Sequence, residues 1–176
     1  MKIKKLNSKE IMTTKDFPVH NPHVLKIYFK ICKEGAEEIL PPTPVIPFSV
    51  GLPLLADNSK ESEMYNIRIK EYLKNNSQIK YLMVDGSHKT TALTLTHKKI
   101  HAIILETEKD IKEVKELMKT GEIFGINSIH PIKKELKLLA KHFKDAKFFE
   151  SVEDKTNRMV KKKVIPKYMI DCYKRK

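Results

Sequence analysis

The chain has 176 residues, of which 32% are charged and 40% hydrophobic, with a formal net charge of +13. That balance excludes a disordered segment and suits one globular domain with its own core and room for a small appendage. No run approaches the roughly 20 apolar residues of a membrane span, and the start MKIKKLNSKE lacks the apolar stretch of a secretory signal, so a cytoplasmic protein without a membrane partner is expected.

Residues 1–16 read as a basic, loosely attached start, and FPVHNPH (17–23), with two prolines, as extended. The crowded apolar run VLKIYFKICKEG (24–35) predicts a helix ended by Gly35, and AEEIL a further short turn. Five prolines in PPTPVIPFSVGLPLLA (41–56) exclude a helix and a central strand, leaving an edge strand at 45–50. DNSKESE (57–63) reads as a polar loop. In MYNIRIKEYLKNN (64–76) the alternation of Tyr65, Ile67 and Ile69 favours a strand, closed by a turn at Asn75 and Asn76.

The segment IKYLMVDGSHKTTALTLTHKKIHAIILE (79–106) is more sharply patterned. Ile79–Val84 predicts a buried strand, Ser87–Thr96 a helix packed through Ala92, Leu93 and Leu95, and IHAIILE a second strand, together a compact β-α-β unit. Beyond it KDIKEVKELMKTG predicts an amphipathic helix ending at Gly121. HPIKKELKLLAKHFK predicts another with Pro131 in its first turn, and two more follow within 147–163 and 165–176. The chain thus changes character near Ile123, from mixed to helical. Cys32 and Cys172 form no metal-ligand spacing and read as a core residue and a free thiol.

A strand that ends in Asp-Gly and feeds a helix leaves backbone N–H groups pointing at one spot, with the helix dipole behind them. Gly86 permits a positive φ and close approach, Ser87, Thr90 and Thr91 bring hydroxyls, and His88 and Lys89 bring basic groups. These features suit a phosphate. They equally suit a plain helix cap by Asp85 or Ser87, and local chemistry leaves both readings open.

LMVDGSHKTTAL resembles the signature of the ParB/sulfiredoxin-like superfamily: an apolar strand, DG-x-H-[RK], then a helix with alanine near its start. The order of elements over residues 17–106 is also similar. The resemblance implies an α+β fold, with a small mixed sheet and packed helices over 17–122, a basic lead at 1–16 and a helical extension at 123–176. It also implies nucleotide phosphates held at the turn. Ser87 stands where sulfiredoxins carry cysteine, so the sulfinic-acid repair reaction has no nucleophile. ParB partition proteins are arginine-rich where this chain has His88, Lys89 and Thr91. The motif is most similar to that of the free serine kinases, in which a proline-containing segment before the first helix supplies a catalytic glutamate. In NPHV (21–24) Val24 occupies that place and cannot take a proton; His23, Glu37 and Glu38 are the candidate substitutes.

The expectation is therefore a nucleotide-binding protein acting as a phosphotransferase on a small hydroxyl substrate such as serine. Gly86, Ser87, His88, Lys89, Thr90 and Thr91 hold the phosphates of ATP or ADP. Asp85 holds Mg2+ or orients the acceptor, His88 and Lys89 neutralise developing charge, and His23 is the base. The rival expectations are a ParB-like DNA-binding protein with nucleotide as a switch, and a non-catalytic nucleotide sensor. The net charge leaves nucleic acid open as a partner, although arginine occurs only at 68, 158 and 175 and the lysine runs 133–137 and 160–164 lack interleaved aromatics. Tyr168 and Tyr173 beside the tail KRK are the one such combination. His20 and His23 read as loop residues before a metal pair, His97 and His101 as surface residues, His130 as a cap, and His142 as structural.

Overall fold

Strands lie at β1 (Lys2–Leu6), β2 (Ile11–Met12), β3 (Thr43–Pro47), β4 (Tyr81–Met83) and β5 (Ile100–Ile104); the last four are largely buried apolar residues and β1 is an exposed, lysine-bearing edge. Helices lie at α1 (Pro22–Lys33), α2 (Lys60–Asn75), α3 (Ser87–Leu95), α4 (Glu108–Lys119), α5 (Ile132–Phe143), α6 (Val152–Lys161) and α7 (Lys167–Lys174). The computed structural model describes residues 1–13, 21–123 and 129–175.

The five strands form one mixed sheet in the order β1-β5-β3-β4-β2. Pairing is antiparallel for β1 with β5 and β3 with β4, and parallel for β3 with β5 and β2 with β4. Alternation sends Val45, Met83, Ala102 and Ile104 to one face, where they meet Leu25 and Phe29 of α1, Leu93 and Leu95 of α3, Met159 of α6 and Met169 of α7. Their neighbours go to the other face: Leu82 packs with Tyr65, Ile69 and Phe143, and Ile46 and Ile103 with Ile111, Val114 and Ile132. The molecule is a sheet between two helical layers. Among the described residues no helix is long and apolar enough to cross a membrane.

Four sequence expectations change. The basic start is part of the sheet: Lys2–Leu6 pair with Ile104–Ile100 along the whole of β5, and the amphiphilic lysines leave their backbone free to ladder. The proline-rich strand β3 is central. Its prolines stand at the second and last positions, and Pro44 still serves the ladder through its carbonyl, which accepts from Val84 N at 3.0 Å. Residues 60–75 form a helix, because Asp57 and Ser59 start it: Ser59 Oγ accepts from Ser62 N at 3.2 Å and Ser62 Oγ donates to Asp57 Oδ2 at 2.7 Å. The spacing that decides is Tyr65 to Ile69, four residues on one face. Finally, β4 and β5 are not neighbours; β3 lies between them and they run antiparallel, so 79–106 is not a β-α-β unit of adjacent parallel strands. The helices after 123 cover both faces of the sheet, α5 on one and α6 and α7 on the other.

The helix at 60–75 separates two isoleucines that a strand would keep together. Ile69 is fully buried and Ile67 is 55% exposed. Ile69→Ala is expected to cost about 2–5 kcal/mol and Ile67→Ala about 0.5 kcal/mol or less, measured by urea unfolding; equal costs would contradict the helix.

Candidate functional site

The turn between β4 and α3 is set by Gly86, whose φ of 104° is accessible to glycine and strained for other residues. A Cβ there would also stand 3.2 Å from Thr43 Oγ1 and 3.3 Å from Thr43 Cγ2. Gly86 is the N-cap of α3 and supplies no capping side chain. Asp85 turns back on the loop, its Oδ1 accepting from Gly86 N at 2.6 Å. The helix ladder begins only with Thr90 N, which donates to Gly86 O at 2.9 Å. The amides of Ser87, His88 and Lys89 therefore lie in the first turn, where no carbonyl of their own helix is in reach.

Helix α1 starts at the same place. Asn21 caps it, its Oδ1 accepting from His23 N at 3.0 Å and Val24 N at 3.2 Å. Asn21 N in turn donates to His88 Nε2 at 3.2 Å. At the other end, Cys32, one residue before the end of α1, neighbours Thr96 and Lys98 just past the end of α3. The two helices thus run side by side in the same direction, and both positive dipole ends face one spot. With Nε2 of His88 accepting there, Nδ1 is the ring nitrogen that can donate. His88 links the starts of the two helices.

The structure separates the other motif residues from the turn's open side. Thr90 and Thr91 are buried and return their hydroxyls to the helix: Thr90 Oγ1 donates to Gly86 O at 3.0 Å, and Thr91 Oγ1 to Ser87 O at 2.8 Å. Neither is placed to hold phosphate. Lys89 points inward and donates to the carbonyls of Pro41 and, at 3.3 Å, Pro42. Burial pushes its ammonium down to about 8, with Asp85 opposing the shift. Lys89 clamps the chain entering β3, and its charge is not presented to a ligand. Glu37 and Glu38, candidate bases by sequence, lie at the opposite end of α3: Glu37 binds Lys98 at 2.7 Å and Glu38 binds Lys5 at 3.1 Å. His23 is brought to the site, exposed in the first turn of α1 beside Val24, and that first turn carries no acidic residue. His20 lies outside the described residues.

Sequence reasoning missed two residues here. Lys155 of α6 is fully buried and donates to Ser87 Oγ, which sets an ammonium at the start of α3. Its signal was available: Val152, Lys155, Thr156, Met159 and Val160 form the buried stripe of α6, and a lysine in such a stripe must have a polar purpose. Thr43 is the other. It is fully buried, and its Oγ1, beside Gly86, has no hydrogen-bond partner among the described residues. A strand position preceded by two prolines gave no hint of it. Tyr28 of α1 also borders the site; burial first, then the charge of Asp85, raises its phenol above the usual range.

Among the described residues no group of three His, Cys, Asp or Glu could hold a metal ion unaided. Asp85 is the carboxylate at the turn. One carboxylate with phosphate oxygens and water is a donor set that magnesium accepts, so the residues fit that ion when a phosphate accompanies it.

The inward lysine has a pH signature. An unfolded lysine keeps its proton up to its ordinary value of 10.5, whereas native Lys89 releases it at about 8. Below about 8 both states are charged and the cost of burial is full; between 8 and 10.5 the unfolded state binds more protons, so stability rises with pH. The stability of the wild type relative to Lys89→Met should therefore improve across that window in denaturant titrations. A flat difference would mean that the ammonium is solvated.

No protein-family model, curated protein or solved structure matches this chain.

Proposed function

We propose that the turn Asp85–His88 and the first turn of α3 form a nucleotide-phosphate site of the ParB/sulfiredoxin-like kind, and that the chain transfers a phosphoryl group from ATP or ADP to a small hydroxyl acceptor such as serine. The observation that carries this reading is the convergence of two helix starts on one glycine turn. Two parallel dipoles repel each other where they begin, and an anion at that point relieves both. The glycine exposes backbone amides to that anion, the Lys155 ammonium sits behind Ser87, and the Thr43 hydroxyl borders the turn. A plain cap requires none of these positive groups.

In this reading the amides of Ser87, His88 and Lys89 hold phosphate oxygens, with the Ser87 hydroxyl oriented by Lys155. His88 donates through Nδ1 and keeps the start of α1 in place through Nε2. Asp85 orients the acceptor hydroxyl and is the residue that would hold magnesium, which supplies charge neutralisation to the phosphates. The acceptor oxygen attacks the terminal phosphorus, the bond to the bridging oxygen breaks with its electrons leaving on the nucleotide, and the hydroxyl proton passes to His23. The side chains of Lys89, Thr90 and Thr91 act on the shape of the site and do not touch the ligand.

Calorimetry with ATP and ADP in the presence of magnesium tests the site. His88→Ala should weaken binding at least tenfold, about 1.4 kcal/mol. Absence of binding to the wild type at millimolar nucleotide would make the turn a cap alone.

Lys155→Met separates a binding role from a structural one. Removing one partner of a buried polar contact costs stability, so affinity is read at a temperature and urea concentration where the variant is folded, and there nucleotide binding should fall at least fivefold. Unchanged affinity of the folded variant would mean that Lys155 only supports the fold.

A further inference from the structure

The surface along α6 and α7 is hollowed twice, and the second hollow reaches the far end of α3, about 14 Å along its axis from Gly86 at 1.5 Å per residue. One hollow, of 760 Å³, has Val160, Ile165 and Ile170 on its floor and Lys161, Lys163, Lys167 and Lys174 around it. The other, of 340 Å³, is walled by Lys9, Lys98, Lys99, His97 and Tyr173. Glu153 borders the second hollow, and Asn157 and Lys161 border the first. Spaced by four along α6, these three share one helix face, so the hollows follow α6 as a single trough.

The joint of the trough is aromatic. Tyr173 stacks on His97 with ring centroids 5.2 Å apart and planes at 12°. Its hydroxyl donates to Asn157 Oδ1 at 2.7 Å, and His97 Nε2 lies 3.0 Å from the Tyr173 carbonyl oxygen. His97 holds this position from a left-handed backbone, φ 58°. The charge is one-sided. Seven lysines border the trough against two carboxylates, and both carboxylates are engaged: Asp171 with Lys167 at 2.7 Å, and Glu153 with Ser8 Oγ at 3.0 Å. Lys9, Lys161, Lys163 and Lys174 have no ion-pair partner among the described residues.

We infer that this trough binds single-stranded nucleic acid without sequence preference. Lysines along both walls match a line of phosphates, and a stacked aromatic pair with an apolar floor matches unpaired bases, which any sequence presents. A duplex fits less well. The walls are helices of ten and eight residues bordering a hollow, whereas a duplex is read by an element that projects into a groove about 12 Å wide. The inference is independent of the nucleotide reading, since no residue of the trough belongs to the turn at Gly86.

Fluorescence anisotropy with a labelled twelve-nucleotide thymidine strand tests it. The paired variants are Lys161→Gln/Lys174→Gln in the trough and the charge-matched Lys133→Gln/Lys137→Gln on α5, on the other face of the sheet; all four side chains are exposed. At about 100 mM salt the trough pair should weaken the strand at least fivefold and lower its salt slope by about 0.7 for each lysine lost, while the α5 pair has a much smaller effect. Tyr173→Leu should weaken the strand and leave binding of inorganic polyphosphate unchanged. The inference is overturned if both pairs weaken the strand equally, if Tyr173→Leu has no effect, if the strand fails to bind at micromolar protein, or if a duplex or poly-glutamate binds as tightly.

Discussion

Helix α3 is buried over seven of its nine residues, and the rest of the molecule is organised around that constraint. The helix carries a serine, three threonines and a lysine into a protein interior, where an unpaired polar group costs about 1–3 kcal/mol. Each has an assigned partner. The threonines bond to carbonyls three or four residues back, Lys89 reaches across to Pro41 and Pro42, and Ser87 receives Lys155. These bonds tie the helix to the entry of β3 on one side and to α6 on the other. The C-terminal helices are therefore part of the same core as the motif.

The same burial explains why the front of α3 is chemically different from its body. Polar side chains along the helix are consumed by structure, so the chemistry that remains belongs to the backbone at its start and to residues delivered from elsewhere: Asn21 and His23 from α1, Thr43 from β3, Lys155 from α6. The helix start is left uncapped by a glycine whose φ the turn requires and whose lack of a Cβ leaves room for the Thr43 side chain. Parallel packing of α1 and α3 then adds a second positive dipole end at the same point. The far end of α3 is of a different kind, where Lys98 neutralises Glu37 and the helix opens onto the lysine-rich trough.

Much of the fold was legible in the chain. The strand–turn–helix of 79–95 rests on a local pattern, an apolar run closed by Asp-Gly, that no distant contact needs to rescue. The helices at 108–119, 132–143, 152–161 and 167–174 carry their own periodicity and caps. Of the candidate site, the positive-φ turn at Gly86 was readable from the sequence. The inward course of the Lys89, Thr90 and Thr91 side chains was not, because a sequence does not tell which way a basic or hydroxyl side chain turns when its helix is buried on nearly all sides.

By itself, then, the sequence determined what depends on neighbours along the chain: the positive-φ turn at Gly86, the helix caps, the apolar runs of the buried strands β4 and β5, and the net charge. The tertiary structure alone decided what depends on partners far apart. It placed the proline-bearing β3 in the centre of the sheet, since only the pairing with β4 and β5 shows that Pro44 serves through its carbonyl. It made 60–75 a helix, since Tyr65 and Ile69 count only when α5 lies against them. It brought Lys155 to Ser87 and Asn21 to His88 across 68 and 67 residues, because burial, and not spacing, determines which polar groups must meet.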